Sequence, residues 1–410
     1  MVNIYKDKSL LKQRVVLMLI GLSVLLMVSS CEEDIWYQEL NPGNPPQSVT
    51  NVSVVSGAGK ARISYDLPQE NVLYVLAEYE TREGVRKEAK ASRYVQSLTV
   101  EGFARAGAYS VSLYAVGLNE ERSEPVVVSV EINRPPVITT FESIEVFEDF
   151  GGLTVEAVNE FEGELVFEIF TKEGQGDLSL DHSYYTKQRN IRFSARGYAA
   201  EPQNFYIVMR DRWGNSTDTL SVELLPFFEQ KLDRTIMEEL RLPTDNWQGH
   251  SWSGIAPRGI HFMFNGNANN ANEIFHTVPN SGIPAHFTFD MGKKAKLSRY
   301  KLWQRWEGSS HIYAGLSPRK WKVYGSNEPN LDGSWDSWIL LGEYEMIKPS
   351  GLPVGELTQD DWDTRHAGDE FDVPIDAPAV RFLRVVVEET WGRTQHFAIS
   401  ELEFWGDYQE

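Results

Sequence analysis

A single cysteine in 410 residues excludes an internal disulfide, so oxidation does not hold this chain together. Positive charge is scarce as well: 39 Lys and Arg stand against 59 Asp and Glu, a formal net charge of -20. A surface of that sign repels polyanions at long range, which argues against a nucleic-acid partner. Long apolar runs are missing too. The run of residues 15–28 has 14 residues, short of the roughly 20 that a bilayer-spanning helix needs. Catalytic signatures are equally thin. The sequence has no Gly-x-Ser-x-Gly elbow and no His-Glu-x-x-His, and Gly57-Ala58-Gly59-Lys60 lacks both the first glycine and the following Ser or Thr of a phosphate loop. The expectation is a protein that is not an enzyme and has no catalytic cofactor. Apolar and aromatic residues, by contrast, are plentiful at 41% and 12%, enough for packed cores in about two to four domains at this length.

At the N-terminus, Lys6, Lys8, Lys12 and Arg14 precede the apolar run, and the small residues Ser29 and Ser30 lead into Cys31. That is the layout of an export signal. Val28-Ser29-Ser30-Cys31 resembles a lipobox, which implies cleavage before Cys31 and lipid on its thiol. Glu32-Glu33-Asp34 resembles the acidic tract of Bacteroidota lipoproteins sent to the outer face of the outer membrane. The chain is thus expected to open with a lipoprotein signal peptide over residues 1–30. A lipidated acidic tether follows over 31–46, its end stiffened by Asn41-Pro42-Gly43-Asn44-Pro45-Pro46.

From Val49 onward, short apolar and polar residues alternate, as in Ala61-Arg62-Ile63-Ser64-Tyr65, between turns rich in Gly, Pro and Asn. This is strand patterning. The segment Tyr109 to Val116, followed by Gly117-Leu118-Asn119 and Ser123-Glu124-Pro125, resembles the end of a fibronectin type III domain. The resemblance covers residues 47–133, makes Tyr109 the corner tyrosine and puts Tyr65 in place of the usual core tryptophan. Past the joint Asn133-Arg134-Pro135-Pro136, a second immunoglobulin-like sandwich is expected over 137–227. Its last strands read clearly as Phe205 to Arg210, a turn through Asp211 to Asn215, and Leu220 to Leu224.

The remainder, 231–410, carries ten of the 12 tryptophans. Six segments follow one another: Phe264-Asn265-Gly266-Asn267, Ile283 to Gly292, Leu297 to Arg305, Pro318 to Ser326, Ala379 to Val385 and Ile399 to Gly406. Their order resembles a discoidin domain (coagulation-factor type C), of the galactose-binding-like class that includes family 32 carbohydrate-binding modules. The fold class expected is therefore all-β: two sandwiches of fibronectin III or immunoglobulin type, then a discoidin-like jelly roll. The whole arrangement resembles Bacteroidota lipoproteins of polysaccharide-utilisation systems.

Sugar recognition combines aromatic faces, which stack on C–H surfaces, with polar groups that take hydroxyls. The resemblance places Arg305 and Trp306 at the end of a strand that contacts ligand. His250, Trp252, Trp391, Arg393 and His396 are the candidates from facing loops. Arg305 has a second reading, a salt bridge to a neighbouring carboxylate. His250 and His396 lack a third ligand at metal spacing. The resemblance also implies a structural calcium at Asn265 and Glu401, although Asn265 stands where an aspartate is usual. Trp321 and Trp405, in alternating segments, are expected in the core. Asp360-Asp361-Trp362-Asp363 is expected in a solvated insertion: Arg365 and a missing glycine argue against a calcium loop, and neighbouring carboxylates do not supply the set separation of a hydrolytic pair. Glycan capture at the outer membrane is the function implied. The alternative is docking on a transporter or another surface lipoprotein without sugar binding.

Overall fold

The computed structural model describes residues 44–409 except 70, 83, 119, 173–175, 252–257 and 271. Cys31 and its lipobox lie outside the described residues. No helix among them is long and apolar enough to cross a membrane. The chain is all-β and divides into two compact units between Pro135 and Pro136.

In the first unit, β1 (Thr50–Gly57), β2 (Lys60–Asp66) and β5 (Ser97–Glu101) form one antiparallel sheet in the order β1-β2-β5. Strands β3 (Tyr74–Arg82), β4 (Val85–Ser92), β6 (Gly107–Val116) and β7 (Val126–Ile132) form the other, ordered β4-β3-β6-β7. Alternation along each strand turns Ile63, Tyr65, Val75, Ala77, Val111 and Leu113 into one shared core. Tyr109 Oη donates to the Arg105 carbonyl at 3.0 Å, the corner contact expected of it. Tyr65 is buried in the core, and burial pushes its hydroxyl up to about 12.

The second unit opens with α1 (Pro136–Phe141) and a sandwich of two sheets. Strands β8 (Glu145–Asp149), β9 (Gly152–Val158) and β12 (Asn190–Arg196) form the order β12-β9-β8. Strands β10 (Leu165–Lys172), β11 (Leu178–Thr186), β13 (Gln203–Asp211) and β14 (Leu220–Leu224) form β11-β10-β13-β14. The β13–β14 turn is held by Asp211, whose Oδ1 accepts the Trp213 and Asn215 amides at 2.8 and 2.9 Å.

The C-terminal part of this unit has its own, larger core. Its strands are β15 (Gln230–Lys231), β16 (Glu238–Glu239), β17 (Phe275–His276), β18 (Ala285–Trp303), β19 (Pro318–Ser326), β20 (Ile339–Glu345), β21 (Asp369–Asp372), β22 (Val380–Thr390), β23 (Ala398–Ile399) and β24 (Glu401–Tyr408). The main sheet runs β15-β24-β18-β22-β19-β20, with β16 and β21 also on β18, while β17 pairs β23 apart from it. Strand β18 serves two neighbours because it bends midway. Residues 285–290 pair with β22, residues 295–303 pair with β24, and Gly292 turns between them at φ +78°. A Cβ at Gly292 would meet the Ile236 carbonyl oxygen at 2.7 Å, so only glycine fits. Arg196 to Asp372 at 2.8 Å and Arg299 to Glu229 at 2.9 Å tie the two parts of the unit together.

Two expectations need correction here. Trp321 is in the core, but Trp405 is not: Leu402 and Phe404 point inward, which sends Trp405 to the opposite face under Arg299, 4.4 Å from its ring. The acidic run is solvated only in part, with Asp360 and Asp363 exposed, and it is not irregular. It forms α2 (Gln359–Ala367), started by a capping box in which Thr358 and Asp361 satisfy each other's amides. Asp361 and Arg365 are both buried.

Candidate functional site

Antiparallel register brings four loops to one end of the C-terminal sheet. Trp303 at the end of β18 lies opposite Glu401 at the start of β24, and Pro318 at the start of β19 lies opposite Thr390 at the end of β22. The chain leaving Trp303, entering Pro318, leaving Thr390 and entering β23 therefore emerges together. Backbone bonds fix these loops. Trp391 N donates to Ser317 O at 2.9 Å, Gly392 N to Gly315 O at 2.8 Å and Ala398 N to Leu316 O at 3.1 Å. The segment before β17 joins the same end, because His250 N donates to His276 O at 2.7 Å and Thr277 N to Phe397 O at 3.0 Å.

Three imidazoles meet there. The rings of His250 and His276 lie 5.1 Å apart and those of His276 and His396 5.9 Å apart. Burial, then the neighbouring His250, Arg305, His396 and Arg258, pushes the His276 imidazole down to about 3, so it is neutral at physiological pH. Burial followed by His250 lowers His396 as well, and its Nδ1 is buried with no hydrogen-bond partner among the described residues. No group of three or more His, Cys, Asp or Glu among the described residues is placed to hold a metal ion.

Arg305 follows its second reading. Its guanidinium forks onto Glu307, with Nη2 to Oε1 at 2.9 Å and Nε to Oε2. Trp306 beside it is 39% exposed, leaving ring surface for a ligand. Trp391 is half-buried: its edge meets Tyr313 and Arg319 sits 5.2 Å from its ring centre. Arg393 is exposed, in a tight turn at φ +52° whose amide donates to Thr390 O. Trp252 lies outside the described residues. The structure thus brings His250, His396 and Arg305 around one point, with Trp306, Trp391 and Arg393 on the same loops.

Sequence reading missed Arg258, His276 and Glu307. Arg258 is 2% exposed, its Nη2 donating to Asn272 Oδ1 at 3.3 Å. Burial, and then repulsion from Arg305, lowers its proton affinity. His276 stands between Ile274-Phe275 and Thr277 in the sequence, a context that carries no signal of its own.

The calcium candidates lie under the turn at Asn265. Glu401 is 1% exposed; its Oε1 accepts the Gly266 amide at 2.9 Å, and its Oε2 is buried without a partner among the described residues. Burial pushes its carboxyl up to about 7. Asn265 Oδ1 accepts the Asn267 amide at 2.7 Å. Gly266 takes φ +78°, and a Cβ there would run into the Arg234 guanidinium. A buried carboxylate oxygen with no partner fits a hard cation, which oxygen donors would hold.

Comparison with known proteins places the chain. A solved structure named SusE-like protein BT2857 is 34% identical, over 67% of this chain and 100% of that one, with a TM-score of 0.43. The chain belongs to the SusE-like family. Three domain families of unknown function match successive parts of this SusE-like chain: DUF4959 over residues 46–132, DUF5126 over 133–235 and DUF5000 over 264–406. Two further solved structures show weaker likeness. The C-terminal domain of a chitobiase from Bacteroides fragilis is 14% identical over 44% of this chain and 100% of that one, at a TM-score of 0.31. A structure titled GH31 CBM32-2 bound to GalNAc is 13% identical over 42% and 96%, at 0.26. No curated protein matches the chain.

Proposed function

We propose that this SusE-like chain is a lipid-anchored outer-membrane protein facing the cell exterior, which captures glycan through the loop end of a discoidin-like C-terminal domain and performs no catalysis on it. The observation that carries this reading is the meeting of His250, His276, His396, Arg258 and Arg305, with the exposed Trp306 next to Arg305 in the chain. Such a site pairs a stacking surface with donors for hydroxyls, the two components sugar binding needs. The three separate cores support domain limits of 47–133, 137–227 and 231–410. A transporter or another surface lipoprotein is the partner expected of such a chain.

Titration of the full chain against an array of glycans tests capture. Trp306→Ala and Arg305→Ala are each expected to weaken binding to the glycan found by about tenfold, as losing ~1–2 kcal/mol of contact implies, with an unchanged melting curve. Normal binding by both folded variants would move the site elsewhere. Retention of outer-membrane proteins by a chain that binds no glycan would replace capture by docking.

The anchor is tested separately. Cys31→Ala should release the chain from membranes, and protease added to intact cells should degrade the native form. Survival of the native form until the cells are lysed would place it inside the outer membrane instead.

The same reading gives Asn265 and Glu401 a structural calcium, supported by the unpartnered Glu401 oxygen. When bound, the ion supplies charge that keeps this carboxyl ionised, and the two residues fasten the 265–267 turn to β24.

A further inference from the structure

We infer that a second glycan site lies in the cleft between the sandwich of the second unit and its C-terminal part, and that it takes a neutral oligosaccharide; the inference rests on the glycan-capture reading and goes beyond it. The cleft has a volume of about 690 Å³, within the roughly 300–1,000 Å³ of ligand pockets, which occur preferentially where domains meet. Its floor is the outer face of the β12-β9-β8 sheet. Alternation sends Val146, Val155 and Ile191 into the core and turns Phe147, Thr154, Glu156 and Arg192 the other way. The second wall is the turn Val373-Pro374-Ile375 that follows β21. Asp372, where that wall begins, pairs with Arg299, four residues before Trp303, which sets it about 13 Å along β18 from the loop end.

Three apolar side chains face this space although the backbone beneath them is fixed. Phe147, Phe227 and Ile375 are 46%, 42% and 45% exposed. Phe227 N donates to Asp149 O at 3.0 Å and Phe227 O accepts Gly151 N at 2.7 Å, so the linker is held beside Asp149–Gly151 while its ring stays outside. The exposed Phe228 continues the surface into an adjoining hollow of about 250 Å³. A contiguous apolar patch with a polar surround marks a binding surface.

The polar groups select the ligand. Arg192 pairs with Glu156, and Arg196 with Asp372 at 2.8 Å and Asp149 at 3.2 Å; the Arg192 and Asp372 side chains are exposed. A wholly apolar ligand would strip water from these pairs. An anion meets four carboxylates, Glu148, Asp149, Glu156 and Asp372, against the two guanidiniums. A cation finds each carboxylate already engaged, Glu148 by the Leu225 amide at 3.0 Å. A neutral sugar meets all of these conditions. Its C–H face packs on the phenylalanines, and its hydroxyls donate to the remaining carboxylate lone pairs and accept from the guanidiniums.

The test uses the full chain carrying Arg305→Ala and Trp306→Ala, which disable the loop site. Calorimetry with neutral gluco-, manno-, xylo- and galacto-oligosaccharides, and with oligogalacturonate, is paired with a melting curve for each variant. The loop-disabled chain is expected to keep binding at least one neutral oligosaccharide and to leave oligogalacturonate unbound. Adding Phe147→Ala, Phe227→Ala or Ile375→Lys should weaken that binding about tenfold at an unchanged midpoint. Phe227 also meets the Phe150 ring at 5.7 Å, so if Phe227→Ala melts early the other two variants decide.

Loss of all binding in the loop-disabled chain while the native chain binds overturns the inference and leaves capture at the loops standing. Residual binding indifferent to Phe147→Ala and Ile375→Lys, or a preference for oligogalacturonate, overturns it as well. Absence of binding to every sugar by the native chain overturns both.

Discussion

Replacing Trp321 with alanine is expected to destabilise the C-terminal domain by about 3–5 kcal/mol, the range for removing a large aromatic from a packed core. Trp321 is 1% exposed in the middle of β19. Its ring meets Phe371 edge-on at 4.8 Å and stacks at 6.0 Å on Tyr344. Its indole N–H donates to the Tyr300 hydroxyl at 2.8 Å, so truncation opens a void and also deprives a fully buried tyrosine of a donor. The hydrogen-bond loss alone contributes about 1 kcal/mol. For a domain of this size the melting midpoint should fall by roughly 10 °C.

Trp405 is the control. It lies on the other face of its sheet, with Arg299 4.4 Å and Lys231 5.4 Å from its ring, and removing it forfeits mainly cation–π contact of about 1 kcal/mol. Thermal melts of both variants check the difference. Equal shifts would show that the two faces of this sheet are not distinguished as inside and outside.

That pair shows how far sequence reading reached. Alternation identified strands throughout, and Tyr109, Tyr65 and Trp321 occupy the positions expected of them. Yet alternation alone does not say which of two adjacent aromatics faces the core. Phe404 and Trp405 are both apolar enough for either face, and the decision was made by Arg299 and Lys231 arriving from other strands. Helix α2 was hidden for a different reason. Asp360, Asp361 and Asp363 dilute any apolar stripe, and the helix is held by its capping box and by Arg365 binding carbonyls of residues 268 and 304. Those partners are distant in sequence. The binding end has the same property: Arg258, His276, Arg305 and His396 come from four segments, so half of the cluster was legible through family resemblance and the rest only through the register that gathers them. Arg305 was the candidate with two readings, and the residue two positions on, Glu307, decided for the ion pair.

The second large effect concerns Glu401 and acidity. In the unfolded chain its carboxyl titrates near the ordinary value of about 4.3; in the native domain burial holds it at about 7. Between those values the native state keeps a proton that the unfolded state has lost, so raising pH through this window weakens the fold. The loss is complete above about pH 7 and amounts to roughly 3 kcal/mol, from a shift of somewhat over two units at about 1.4 kcal/mol each. Metal-free native chain is therefore expected to melt lower at pH 8 than at pH 5.5. Glu401→Gln, which keeps an oxygen for the Gly266 amide, should remove most of that difference. Calcium enters through the same group, since a cation that binds only the folded, ionised form stabilises it by mass action. Chelation should then lower the midpoint at pH 8 and do little at pH 5.5, where the carboxyl is protonated. A midpoint at pH 8 indifferent to calcium would remove the metal while leaving the buried acid intact. A pH dependence shared equally by Glu401→Gln would show that another group carries the titration.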